Sequence, residues 1–137
     1  MAAVVIDASI ASAWCFPDEQ TDYTKAVFQA VSSSAVDPVA PRLWAYEIRN
    51  SVLMGLRRGR ISKPDSEQFL ASLNDLNVRL GEPASYDQVF ALAQAHGLTV
   101  YDAAYLEIAM QERVPLASLD RQLVRAAGTV GVELFQP

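Results

Sequence analysis

Cysteine and histidine are almost missing from this 137-residue chain, which carries Cys15 and His96 and no other residue of either type. A lone cysteine excludes an intrachain disulfide and a cysteine-built zinc site, and a lone histidine excludes a paired-imidazole acid–base mechanism. With soft ligands this scarce, any bound metal is expected to be a hard, oxygen-seeking cation such as Mg²⁺ or Mn²⁺. No run approaches the ~20 apolar residues of a membrane span, and the N-terminus shows neither the basic region nor the cleavage site of a signal peptide. A cytoplasmic protein with no membrane contact is therefore expected. Positive charge is also short, with 11 Lys and Arg against 16 Asp and Glu and a net charge of −5. That balance argues against a general nucleic-acid coat, whose affinity comes from neutralising phosphates. It leaves room for a nuclease, because carboxylates gathered around a cation lower the formal charge while the ion reverses the local sign. Much of the basic charge is concentrated in one stretch, at Arg42, Arg49, Arg57, Arg58, Arg60 and Lys63.

What is present is a core: 51% of the residues are hydrophobic, enough for one compact domain over residues 1–137. The run Val4-Val5-Ile6 is β-branched, apolar and stops on Asp7, the pattern of a central buried strand whose end carries chemistry. Further short strands are expected at Val36 to Ala40, Asn77 to Leu80, Val114 to Leu119 and Val132 to Phe135. Between them the sequence predicts helices: Ile10 to Trp14 with Ser9 as cap, Tyr23 to Ser32, Pro41 or Arg42 to Gly59, one from Lys63-Pro64-Asp65, one after Ser85 ending at His96-Gly97, Ala103 to Glu112, and Arg121 to Ala126. Strands alternating with helices, with no Asn-Gly hairpin signal, predict an α/β fold: a parallel sheet of about four to five short strands with helices on both faces.

In such sheets ligands bind beyond the carboxyl ends of the strands, where Asp7 and Asp120 both fall. Glu47 lies on a helix face with Leu43, Asn50, Ser51 and Met54 that is expected to point at the core, so it needs polar company inside. Asp102 and Asp120 each stand at a helix start, where Asp is a favoured cap worth about 1 kcal/mol. Taken singly, each acid has such a plain explanation. One divalent cation would account for all four by offsetting their mutual repulsion.

The blocks Val4-Val5-Ile6-Asp7-Ala8-Ser9, Pro41 with Glu47-Ile48-Arg49-Asn50, Tyr101-Asp102-Ala103-Ala104-Tyr105 and Leu116-Ala117-Ser118-Leu119-Asp120-Arg121-Gln122-Leu123 resemble the PIN-domain ribonucleases, in particular the VapC-type toxins of bacterial toxin–antitoxin pairs. The resemblance spans nearly the whole chain and implies a PIN-like α/β/α fold. It implies catalytic acids Asp7, Glu47, Asp102 and Asp120, with Asp7 and Asp102 as direct ligands of Mg²⁺ or Mn²⁺. It also implies supporting polar groups at Ser9, Asn50 and Ser118, an RNA substrate, a VapB-like antitoxin supplied in trans, and a homodimer. Ser118 stands where Thr is more usual and keeps the hydroxyl.

Other classes are weighed on the same residues. A phosphoaspartyl domain also places Asp after its first strand, but it needs a lysine near a late strand, and Lys25 and Lys63 lie elsewhere. Asp7-Ala8-Ser9 also lacks the second Asp of a dehalogenase motif. A binding or assembly module that keeps the fold without turnover stays open. His96 reads as a helix-end residue, Cys15 as a small core residue, and Trp14, Trp44, Tyr101 and Tyr105 as core aromatics or base-stacking surfaces.

Overall fold

The structure, a computed structural model, describes residues 2–137. Among these residues, four parallel strands form one sheet in the order β3-β2-β1-β4: β1 is Ala3–Ile6, β2 Asp37–Pro41, β3 Arg79–Gly81 and β4 Leu116–Ala117. The apolar run at the N-terminus takes a central place because it has no polar face to show to water. Val4, Val5 and Ile6 are fully buried, and Val5 pairs with Val39 on one side and Leu116 on the other.

Among the described residues, seven α-helices cover the sheet on both faces: α1 Ala8–Cys15, α2 Asp22–Ser32, α3 Leu43–Arg57, α4 Lys63–Asp75, α5 Tyr86–His96, α6 Val100–Glu112 and α7 Arg121–Thr129. One group is built on α1, which packs on α2 and α3, with α4 on α3. The other is built on α6, which packs on β1 and β2 and carries α5 and α7. Helix α6 is enclosed nearly all round, and every residue from Ala103 to Ala109 is buried. No helix among the described residues is long and apolar enough to cross a membrane.

Several expected boundaries move. The fifth strand, expected at Val132 to Phe135, is reduced to a single bridge between Leu116 and Leu134. Its partner β4 has only two residues, and of these only Leu116 faces that side, donating to the Glu133 carbonyl at 3.0 Å and accepting from the Phe135 N–H at 2.8 Å, so there is one register position to pair. Strand β3 starts at Arg79 instead of Asn77, whose backbone is left-handed at φ 53° and turns the chain out of α4. Helix α6 begins at Val100, three residues before the expected start, because the Thr99 hydroxyl accepts from the Asp102 N–H at 3.0 Å and caps it.

The core-facing stripe of α3 also differs from the expected one. Trp44, Ile48, Val52 and Gly55 are buried, whereas Leu43, Glu47, Ser51 and Met54 are half-buried and Asn50 is exposed. The larger apolar side chains set the phase, and Gly55 lets the buried Phe16 ring lie against α3. A Cβ at Gly55 would fall 2.5 Å from Phe16 Cζ. Arg60 closes that corner from outside, 4.2 Å from the Phe16 ring centroid and paired with Asp18 at 3.0 Å and Glu19 at 2.9 Å.

Candidate active site

Strands β2 and β3 lie on one side of β1 and β4 lies on the other, so the chain reverses its direction of winding between β1 and β4. A crevice opens at the carboxyl ends of strands at such a point. Asp7 leaves β1 and Ser118 leaves β4 at that crevice. The two strand ends are tied by the Asp7 N–H, which donates to the Ala117 carbonyl at 3.2 Å.

Asp7 is 4% exposed and every hydrogen bond around it is local to the crevice. Its Oδ1 accepts from the Ser9 hydroxyl at 2.6 Å and from the Ile10 N–H at 3.2 Å, and its Oδ2 accepts from the Ser118 hydroxyl at 2.5 Å. The bond from Ile10 makes Asp7 itself the N-cap of α1, the role expected of Ser9. Both hydroxyls work twice. Ser9 Oγ accepts from the Leu119 N–H at 2.9 Å, and Ser118 Oγ accepts from the Asp120 N–H at 3.0 Å. The loop after β4 is thereby clasped to the end of β1 through the carboxylate.

The other acids come from three elements. Asp120 caps α7, its Oδ1 accepting from the Gln122 and Leu123 N–H groups at 2.9 and 3.0 Å. Asp102 sits in the first turn of α6 rather than before it. Glu47 faces inward from α3, and its Oε1 accepts from the Tyr105 hydroxyl at 2.6 Å.

Burial pushes the Asp7 carboxyl from its ordinary 3.8 up to about 6, with the Asp102 charge adding and the Ser118, Ser9 and Ile10 hydrogen bonds opposing. Glu47 is raised by burial and further by Asp102, against the hydrogen bond from Tyr105. Asp102 is raised by burial and further by Asp120, against a hydrogen bond from Thr99. Asp102 is thus the common neighbour through which the other three acids are linked. Among the described residues, none of the four forms an ion pair with a Lys, Arg or His side chain. No three His, Cys, Asp or Glu side chains among those residues stand close enough together to hold a metal ion as they are placed.

Of the supporting residues, Ser9 and Ser118 are joined to Asp7. Asn50 is exposed on α3 and takes no part in these bonds. Tyr105, weighed from sequence as a core or stacking aromatic, is 1% exposed and serves as the hydrogen-bond partner of Glu47. The signal for it was the need of Glu47 for polar company. Glu107 went unnoticed: it is 3% exposed on α6 and accepts from the Ala84 N–H at 2.9 Å, holding the loop between β3 and α5. Cys15 is half-buried, and burial pushes its thiol up to about 11, away from nucleophilic use. His96 precedes Gly97, which ends α5 in the left-handed conformation at φ 65°.

The chain matches the PIN domain family over residues 4–129. It is 37% identical over 125 residues to Ribonuclease VapC3 of Pyrobaculum aerophilum, a match covering 88% of this chain and 91% of that protein. The fold is similar to the crystal structure of PAE2754 from Pyrobaculum aerophilum, with a TM-score of 0.71 at 22% identity over 91% of this chain and 84% of the other. It is also similar to Mycobacterium tuberculosis VapC20, described as a sarcin-ricin loop cleaving toxin, with a TM-score of 0.66 at 12% identity over 98% and 100% of the two chains. FitAcB from Neisseria gonorrhoeae gives a TM-score of 0.59 at 20% identity over 98% and 97%.

Proposed function

The chain belongs to the PIN-domain family and is closely related to the VapC-type toxin–antitoxin ribonucleases, and from that premise we propose that it is a Mg²⁺- or Mn²⁺-dependent endoribonuclease acting as the toxin of such a pair. The observation that carries this reading is the linkage of the four acids through Asp102, which adds to the rise that burial imposes on Asp7 and Glu47 and is itself raised by burial and by Asp120, with no ion pair from a Lys, Arg or His side chain to any of them among the described residues. Such a donor set suits a hard divalent ion, which asks for one or two carboxylates and completes its shell with water. Asp7 and Asp102 are the proposed direct ligands, with Glu47 and Asp120 completing the quartet around them.

A cation held there would make water a better nucleophile at neutral pH and stabilise charge on the phosphoryl oxygens. The chain's own contributions are positional. Ser9 and Ser118 fix the Asp7 carboxylate from both sides, Tyr105 fixes Glu47, and the two amides of α7 fix Asp120. The Asp7 carboxyl, pushed up to about 6 by burial, is largely ionised at neutral pH, and a cation would offset that buried charge.

The proposed partners are an RNA substrate and an antitoxin protein in trans, whose basic side chain would meet these acids. A homodimer and a cytoplasmic location complete the proposal, as does a single nuclease domain over residues 1–137. The spacing of the acids, too loose for a preformed three-acid cage, favours as a second reading a PIN-fold binding module without turnover. RNA cleavage by the purified chain with Mg²⁺ or Mn²⁺, set against EDTA and Asp7→Ala, decides between them. Cleavage that needs both the metal and Asp7 supports the nuclease, and equal cleavage by wild type and Asp7→Ala removes this site from it.

A further inference from the structure

Beside the acids stands a large ring that the fold leaves in water. Tyr101 is 65% exposed, although the α6 residues from Ala103 to Ala109 that follow it are all buried. It precedes Asp102 directly and lies one helical turn before Tyr105, whose hydroxyl holds Glu47. Residues four apart share a helix face, and helical side chains lean toward the N-terminus. Tyr101 therefore shares the face of α6 from which Tyr105 meets Glu47, and its ring leans past the start of the helix.

Its seat is held from two directions. The Thr99 hydroxyl caps α6, and the Gln122 side-chain amide donates to the Gly97 carbonyl, which fastens the turn before α6 to the first turn of α7. The backbone that carries the ring is therefore already fixed before a flat ligand settles on it. The acids themselves repel a phosphodiester, so a nucleotide next to the scissile position has most to gain from a contact that carries no charge.

We propose that Tyr101 is a stacking platform for one base of a single-stranded RNA substrate, next to the phosphate presented to the acids. The inference rests on the ribonuclease reading of the same site, and base–aromatic stacking is the contact that supplies binding without sequence readout.

The test uses the full chain as wild type, Tyr101→Ala, Tyr101→Phe and Tyr101→Trp. Binding of a short fluorescently labelled single-stranded RNA is measured in EDTA, where nothing turns over, and of the same sequence as a duplex. Tyr101→Ala is expected to loosen single-strand binding about ten- to a hundredfold, Phe and Trp to retain it, and the duplex to distinguish none of them. With Mg²⁺, the Ala variant should lose kcat/KM through KM at unchanged kcat.

Single-strand binding by Tyr101→Ala as tight as wild type overturns the proposal, as does absence of single-strand binding by wild type. A fall in kcat at constant KM overturns it by making Tyr101 a support for Asp102. Unchanged RNA binding with altered self-association in sedimentation overturns it by making the ring a protein contact. Because binding is read without turnover, loss of the ribonuclease reading through Asp7→Ala leaves the stacking result separately legible.

Discussion

Replacing Asp7 with Asn should make the protein more stable at neutral pH when no divalent cation is present. The Asp7 carboxyl is displaced from 3.8 to about 6, which at about 1.4 kcal/mol per pH unit amounts to about 3 kcal/mol against the folded state once the group is ionised. The displacement is upward, so the fold prefers the protonated carboxyl. Its contribution is fully present below about pH 4 and is lost as the pH rises through about 6. Asp7 is 4% exposed, so solvent screening removes little of this. Asparagine has no proton to lose, keeps an oxygen for the Ile10 N–H and remains a good helix cap. With the oxygen kept in the Oδ1 place for Ile10 and Ser9, the amide nitrogen takes the Oδ2 place and cannot accept, so the bond from Ser118 must reverse, at about 0.5–1.5 kcal/mol.

The net expectation is a gain of about 1.5–2.5 kcal/mol for Asp7→Asn near pH 8 in EDTA, shrinking to nothing or reversing near pH 4. Urea unfolding of both proteins across that range reads it directly. Added Mg²⁺ or Mn²⁺ should stabilise wild type, by about 2.7 kcal/mol at a hundred times Kd, and should leave the variant where it was. A variant less stable than wild type near pH 8 in EDTA would refute the reasoning, because the hydroxyl clasp would then outweigh the burial of charge.

Two further substitutions probe the surroundings of the site. Tyr105→Phe removes the donor to Glu47 and should destabilise the protein by about 1–2 kcal/mol. Since that bond holds the Glu47 carboxyl down, its titration followed by carbon NMR should move to higher pH. Gly55→Ala gains about 1 kcal/mol of helix propensity but drives a methyl into the Phe16 ring. With overpacking at about 1–3 kcal/mol, thermal unfolding should come earlier than in wild type, and a rise in Tm would mean that the ring moves aside freely.

Local patterns carried the element order and the strand that bears Asp7, since a buried apolar run that stops on an acid is visible in a few residues. The Gly97 turn and the Ser85 cap are equally local, and each is found where its residue type predicts. The phase of α3 was not legible, because it depends on which side chains the rest of the core can accept, and Phe16 meeting Gly55 joins residues far apart in sequence. The bond between Tyr105 and Glu47 spans 58 positions, and no local rule points to it. The last strand failed for a similar reason, since its length is set by how much of β4 is left to pair with.

The helix caps and the acid cluster need not compete as explanations of the same residues. Asp7 caps α1 and Asp120 caps α7, in both cases through Oδ1. A capping carboxylate is fixed in direction by the amides it receives and still has a second oxygen to offer. For Asp120 no hydrogen bond among the described residues reaches Oδ2, and for Asp7 the bond to Oδ2 comes from a hydroxyl that can turn away. Asp102 was expected to be the cap of α6, but Thr99 takes that position. The carboxylate that both Asp7 and Glu47 feel is thus released from the duty that the sequence pattern would have assigned to it. Capping therefore aims two of the acids, and relief from capping frees the third.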